Sequence, residues 1–325
     1  MNKNIFLVMM LAFTAAVTAA CGSGSAEENS GEDSAEESEA SGNSSEEITV
    51  THELGETTVE GTPETVVVFD YGVLDSLDKL DIEVAGVAKD SLPSYLEKYE
   101  GDDYENVGSL KEPDFEKINE IDPDLIIISG RQAEAYEELE GIAPTLYSAV
   151  DAANYMPSFE ESMNNLGQVF NKEAEIEEEV TAIQDQIEEV KAQTEETDGE
   201  ALVVLANDGS LSAFGPGSRY GLIHDEFGFT PADENIEADT RHGQNVSFEY
   251  VAEQDPEHLF VVDRGAVVGG ESSSEQVLDN ELMQGTQAVE NDNVTYLDPE
   301  VWYLSGGGLT SVSMMADEIQ ESVSE

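Results

Sequence analysis

Basic residues, cysteine and long apolar runs are scarce in this chain, and each scarcity excludes a class of protein. Lysine and arginine together number 12 against 73 aspartates and glutamates in 325 residues, a formal net charge of −61. That balance excludes nucleic acid as a partner, because phosphate binding needs clustered Lys and Arg. The single cysteine, Cys21, excludes an intramolecular disulfide and a thiolate metal cluster. After the first twenty residues, no stretch approaches the roughly 18 apolar residues of a membrane helix. Neither His-Glu-x-x-His nor Gly-x-Ser-x-Gly occurs, which argues against a metallo-hydrolase or a serine hydrolase. What is present is 39% hydrophobic residues, in apolar segments that recur after residue 64. Most of the chain is therefore expected to fold. The surplus of acid reads as a solvated surface suited to high salt, where the screening length falls to about 3 Å at 1 M.

The N-terminus has its own pattern. Lys3 precedes an apolar stretch, Ile5 to Val17, which is too short to span a bilayer and is followed by small residues, as in a signal peptide over residues 1–20. Val17-Thr18-Ala19-Ala20-Cys21 resembles the lipobox of a bacterial lipoprotein, with Thr18 where leucine is usual. An ordinary cleaved signal with an incidental cysteine is the alternative. Removing residues 1–20 leaves 11 basic and 73 acidic residues, a charge of −62. Residues 22–47 hold only Gly, Ser, Ala, Asn, Glu and Asp, so residues 21–47 read as a lipidated cysteine and a flexible acidic tether.

Folded sequence begins near Ile48. Val66-Val67-Val68-Phe69, Val84-Ala85-Gly86-Val87 and Leu125 to Ile128 are short continuous apolar runs between helical patterns, the signature of an α/β fold with a parallel sheet. A helical pattern runs from Ser158 to Glu195, and a second α/β set resumes at Ala201 to Leu205 and continues through Leu259 to Val262. An internal repeat ties the two sets together. Asp114 to Arg131 aligns without gaps with Ser247 to Arg264, and Phe115/Phe248, Glu116/Glu249, Glu120/Glu253, Asp122/Asp255, Pro123/Pro256 and Arg131/Arg264 are identical. Each copy reads as a short helix, an Asp-Pro turn, a buried strand and an arginine just past its end. The expected architecture is two similar α/β lobes, 48–157 and 197–325, joined by a single long helix over 158–196. Ligands of open α/β sheets bind beyond the carboxyl ends of strands, where Arg131 and Arg264 fall.

Only four arginines occur: Arg131, Arg219, Arg241 and Arg264. Arg219 sits in the Gly-rich segment Phe214 to Gly221, and Arg241 precedes His242 in a second loop. In a chain that avoids basic residues, three or more guanidinium groups converging on one anionic ligand is the sharper expectation, and surface ion pairs are the plainer one. His242, Tyr303 and Trp302 are further candidates, as are Tyr71 and Lys89. The run Ser305-Gly306-Gly307-Gly308 opens the last helical segment, where backbone N–H groups can bind an anion or simply cap a helix.

Pro113 to Ile118, Phe260-Val261-Val262-Asp263-Arg264-Gly265 and Trp302 to Gly308, with the lipobox and tether, resemble the ferric-siderophore-binding proteins of ABC importers, in the catecholate branch. The resemblance covers residues 63–325. It implies two rigid lobes bridged by one helix, no enzyme activity and no resident cofactor, since the Fe(III)–siderophore is the cargo. By motif position it implies that Arg131, Arg219 and Arg264 face the ligand; Arg241, Trp302, Tyr71 and Lys89 are further candidate ligand contacts. It also implies that His242 and Tyr303 ligate iron when the siderophore is tetradentate. Glu116 and Glu249 stand where such proteins dock on their permease. The implied protein is a monomer, lipid-anchored at Cys21 on the outer face of the cell membrane. A haem- or corrinoid-binding protein of the same fold is the alternative, and a purely structural acidic lipoprotein is a remoter one.

Overall fold

The computed structural model describes residues 47–195, 199–238, 242–270 and 273–324. The signal peptide, Cys21 and nearly all of the tether lie outside these residues, as does Arg241. The described chain opens with an antiparallel hairpin, β1 (Glu47–His52) and β2 (Gly55–Glu60), in which Val50 and Val59 are buried. The first lobe follows: β3 (Val66–Val68), α1 (Tyr71–Lys79), β4 (Gly86–Val87), β5 (Glu105–Asn106), α2 (Phe115–Ile121), β6 (Leu125–Ile128), α3 (Tyr136–Glu140) and β7 (Thr145–Tyr147). Its five strands form a wholly parallel sheet in the order β5-β4-β3-β6-β7. Leu125 to Ile128 are fully buried, the reason this strand is a continuous apolar run rather than an alternating one.

The helical pattern from Ser158 to Glu195 is two helices, α4 (Tyr155–Phe170) and α5 (Glu173–Thr194). The break is Asn171, which takes a left-handed conformation (φ 54°) that asparagine tolerates better than most residues. Gly167 makes the turn possible, since a Cβ there would lie 3.2 Å from the Glu173 Cα. The helix joining the lobes is thus α5 alone. Its buried residues, Ile176, Val180, Ile183, Ile187, Val190 and Thr194, recur every three or four positions and form one stripe.

The second lobe comprises β8 (Glu200–Asn207), β9 (Ser210–Phe214), α6 (Leu222–Asp225), β10 (Thr230–Pro231), β11 (Gln244–Val246), α7 (Phe248–Gln254), β12 (His258–Asp263), α8 (Arg264–Val268), α9 (Ser274–Leu278), α10 (Gln287–Glu290) and β13 (Val294–Leu297). A one-turn π-helix (Glu300–Ser305) and α11 (Leu309–Ser324) complete the chain. The sheet order is β11-β9-β8-β12-β13, with β10 also on β8. Here the expected parallel sheet needs correction: β9 runs antiparallel to β8, and β11 antiparallel to β9. The Gly-rich segment around Arg219 accordingly follows β9, not the strand at Leu202–Leu205. The last helix also departs from a simple two-lobe partition, because α11 packs on α5 and on α1 of the first lobe.

The repeat is structural. In both copies a seven-residue helix (α2, α7) ends at an aspartate in left-handed conformation, Asp122 (φ 54°) or Asp255 (φ 45°), before a buried strand. Asp124 accepts hydrogen bonds from the Glu64 and Thr65 amides, and its counterpart Glu257 accepts one from the Glu200 amide. Each copy therefore tethers the start of the first strand of its own lobe.

Candidate functional site

Three short segments deliver three arginines to one place. Arg131 follows β6 in a turn whose Ser129 hydroxyl donates to Asp70 (2.6 Å) and whose Gln132 side chain donates to the Leu110 carbonyl (2.5 Å). Arg219 is carried by the loop after β9, closed by the Gly217 amide on Asp225 (2.6 Å) and the Ser218 hydroxyl on the Gly215 carbonyl (2.5 Å). Gly217 adopts φ +69° there, a conformation that costs a side-chain-bearing residue far more. Arg264 is the first residue of α8, whose first turn is capped by Asp263 accepting from the Ala266 amide.

All three guanidinium groups meet Tyr303, in the π-helix. Arg131 and Arg219 each donate from Nη2 to the Tyr303 carbonyl oxygen, at 2.7 and 2.6 Å. Arg264 donates from Nε to the Tyr303 hydroxyl at 2.9 Å and from Nη1 to the Asn207 side-chain oxygen at 2.7 Å. The Arg219 guanidinium also lies 4.3 Å from the Tyr303 ring centroid and 5.3 Å from that of Tyr220. Burial works to raise the Tyr303 phenol, but the Arg264 hydrogen bond and the charges of Arg264, Arg219 and Arg131 outweigh it and hold the group below its ordinary range. The cluster thus favours negative charge on whatever oxygen it faces. π-Helices are rare and concentrate at functional sites, since the extra residue in the turn re-aims the side chains around it.

Around this cluster lie two spaces that share Arg219 as a wall. A cleft of about 550 Å³ is lined by Arg131, Tyr147, Arg219, Ser305 and Gly306 among others. An adjoining recess of about 310 Å³ is lined by Arg219, Arg264, Asn207, His242 and Tyr303 among others. The structure therefore brings Arg131, Arg219, Arg264, His242 and Tyr303 together. Asn207, which fixes Arg264, and Tyr220, which underlies Arg219, carried no signal of their own in the sequence. Among the described residues no group of three or more His, Cys, Asp or Glu side chains is placed to hold a metal ion.

Three expected ligand contacts are not brought to the cleft. Tyr71 is buried, and its hydroxyl donates to the Ala88 carbonyl (2.9 Å). Trp302 is buried, and its indole N–H donates to Glu318 (3.2 Å). Lys89 donates its ammonium protons to the carbonyls of Glu100 and Gly101 (3.2 and 2.8 Å) and lines neither space. The anion expected at the start of α11 is the protein's own. Asp75 of α1 accepts from the amides of Thr310 (3.0 Å) and Ser311 (3.1 Å), and the Ser76 hydroxyl accepts from that of Leu309 (2.9 Å). Burial pushes the Asp75 carboxyl up to about 7, against the lowering effect of those hydrogen bonds. Gly308 is obligatory at this junction, since a Cβ there would fall 1.9 Å from the Gly72 carbonyl oxygen. Glu116 and Glu249, at equivalent positions in the first turns of α2 and α7, are both exposed.

Two α/β lobes joined by one helix, with three arginines gathered at one cleft, are the architecture of a ligand-capturing binding protein. The chain belongs to the periplasmic binding protein family, whose model matches residues 66–301. It is 47% identical over 325 residues to the petrobactin-binding protein YclQ of Bacillus subtilis, covering 99% of both chains. The crystal structure of that protein superposes with a TM-score of 0.84 at 51% identity, covering 86% of this chain and 99% of that one. The ferric-anguibactin-binding protein FatB of Vibrio anguillarum is 35% identical over 84% of this chain and 86% of its own. The catecholate-siderophore-binding protein VctP of Vibrio cholerae has a TM-score of 0.80 at 36% identity, with coverage of 85% and 100%.

Proposed function

We propose that this protein captures a ferric siderophore of the catecholate class and delivers it to an ABC permease. The observation that carries the reading is the convergence of Arg131, Arg219 and Arg264 on Tyr303, three of four arginines in a chain of net charge −61. A ferric catecholate is a compact anion with an aromatic rim. Planar, always-charged guanidinium groups recognise both features, by hydrogen bonding to oxygen and by stacking on the ring. The acidic surface opposes the ligand only weakly, because charges farther away than about 8–10 Å are screened at ordinary ionic strength. The half-buried arginines act at contact distance and are screened much less.

Capture is an exchange of acceptors. Arg131 and Arg219 share one carbonyl oxygen, a neutral acceptor that anionic catecholate oxygens can outbid. Fe(III) favours oxygen donors, and Tyr303 and His242 line the same recess. They would complete the coordination of a tetradentate complex and stand aside for a hexadentate one. Delivery would use Glu116 and Glu249, exposed at matching places on the two repeats. Anchoring would use Cys21, in a segment outside the described residues.

The test is titration of the purified protein with ferric petrobactin, ferric enterobactin and ferric citrate, followed by iron retention after gel filtration. Saturable retention of a ferric catecholate is expected. No retention of any of the three would refute the reading.

A further inference from the structure

Tyr303 owes its place to the π-helix, and a π turn does not hold itself. Its hydrogen bonds are poorer than those of an α-helix, and relaxation to α geometry would turn the following side chains by about 100°. Inside the second lobe, Glu318 accepts from the Asp298 amide (2.9 Å) and the Trp302 indole (3.2 Å), and the Ser305 hydroxyl donates to the Glu300 carbonyl (3.1 Å). Arg219 and Arg264 add to these through Tyr303 itself, and Asp298 accepts from the Glu300 amide (2.9 Å); two further holds come from the first lobe. The Glu300 carboxylate accepts from both the amide and the hydroxyl of Ser94, at 2.8 and 2.5 Å. The Tyr95 hydroxyl donates to Ser305 at 2.7 Å. Ser94 opens a short 3₁₀ helix (Ser94–Glu100), so its amide is a helix-end donor that its own helix cannot satisfy.

We infer that Glu300 is a positioning residue for Tyr303: held by Ser94 across the lobe boundary, it clamps the first residue of the π turn. Tyr95 clamps the last through Ser305. The spacing of the two lobes at this edge of the cleft is thereby written into the position of Tyr303, and through it into the aim of all three arginines. The sign of the charge separates this role from a direct one. Glu300 is acidic and the proposed ligand is anionic, so deleting its charge cannot by itself weaken binding. Any loss of affinity must come through geometry. The inference rests on the reading of Tyr303 as part of a siderophore site.

The test uses Glu300→Ala and Glu300→Gln with two readouts. Trp302, the only tryptophan, lies inside the turn and reports its packing without ligand. Affinity is measured by equilibrium dialysis with ferric petrobactin. Glu300→Ala is expected to red-shift ligand-free Trp302 emission and to weaken binding about tenfold, the scale of one charge-assisted hydrogen bond. Glu300→Gln keeps an acceptor for both Ser94 donors and is expected to match the parent protein in both readouts. Unchanged affinity in Glu300→Ala, or equal losses in both variants, overturns the inference. Should the parent protein bind no ferric siderophore, the reading of function fails, and the emission arm alone decides whether Glu300 clamps the turn.

Discussion

Replacing Arg264 by alanine probes the cluster most directly. Arg264 commits Nε to the Tyr303 hydroxyl and Nη1 to Asn207, and its Nη2 edge makes no hydrogen bond to a described residue, which leaves that edge for a ligand. Truncation removes a charge-assisted contact to an anion, worth about 1.5–3 kcal/mol. It also strands the Tyr303 hydroxyl and removes the largest of the influences that lower its phenol against burial, leaving only the charges of Arg219 and Arg131. Discounting for the half-exposed setting, the loss is about 2 kcal/mol, roughly a 30-fold rise in Kd. Arg264→Lys keeps the charge but not the fork that bridges Tyr303 and Asn207, so its loss should be intermediate. Isothermal titration with ferric enterobactin and ferric petrobactin measures both variants. Losses below threefold in Arg264→Ala for both complexes would refute the assignment of Arg264 to ligand charge. So would a lysine variant weaker than the alanine one.

Other outcomes follow from separate parts of the molecule. Gly308→Ala drives a Cβ into the Gly72 carbonyl and Asp75; it should destabilise the fold by roughly 3 kcal/mol and lower Tm by about 5 °C, and an unchanged melting scan would contradict that packing. Asp75 (ordinarily 3.8) and Glu318 (ordinarily 4.5) are both pushed up to about 7, chiefly by burial. Their contribution to stability is therefore fully present below their unfolded values and lost as pH rises through about 7. Calorimetric Tm should fall over that window, and Asp75→Asn should flatten the fall; a rising Tm would reverse the sign and refute it. His242→Ala and Tyr303→Phe should weaken a tetradentate ferric complex more than a hexadentate one and shift its charge-transfer band, whereas equal losses without a spectral change would confine both residues to shaping the recess. In cells, Cys21→Ser should release the protein from the membrane fraction, and Glu116→Lys with Glu249→Lys should stop uptake while binding persists; retention of the first or lost binding in the second would remove the respective role.

The core of each lobe was legible in the sequence because a strand buried on both faces must be a continuous apolar run. Val66 to Val68, Leu125 to Ile128 and Leu259 to Val262 lie within strands as expected. The repeat was legible because helix, Asp-Pro turn and strand are all local. So was the value of arginine, since a residue used four times in so acidic a chain stands out by composition alone. Other features were hidden because they depend on contacts between distant segments. The break between α4 and α5 turns on one left-handed asparagine with no proline or glycine at the break itself. β9 and β11 pair antiparallel through partners that periodicity does not name.

For the site, the sequence by itself determined which charged groups exist and placed two of them past strand ends. Tertiary structure decided what they meet. Arg131 and Arg219 reach the Tyr303 carbonyl across 172 and 84 residues, and Arg264 reaches its hydroxyl across 39. The same long-range packing hid Tyr71 and Trp302, and gave the start of α11 to Asp75 across 235 residues in place of an external anion. Side-chain type and spacing are properties of the local chain. Which polar group satisfies which other one is settled only when burial removes water from both, and that happens in the folded state.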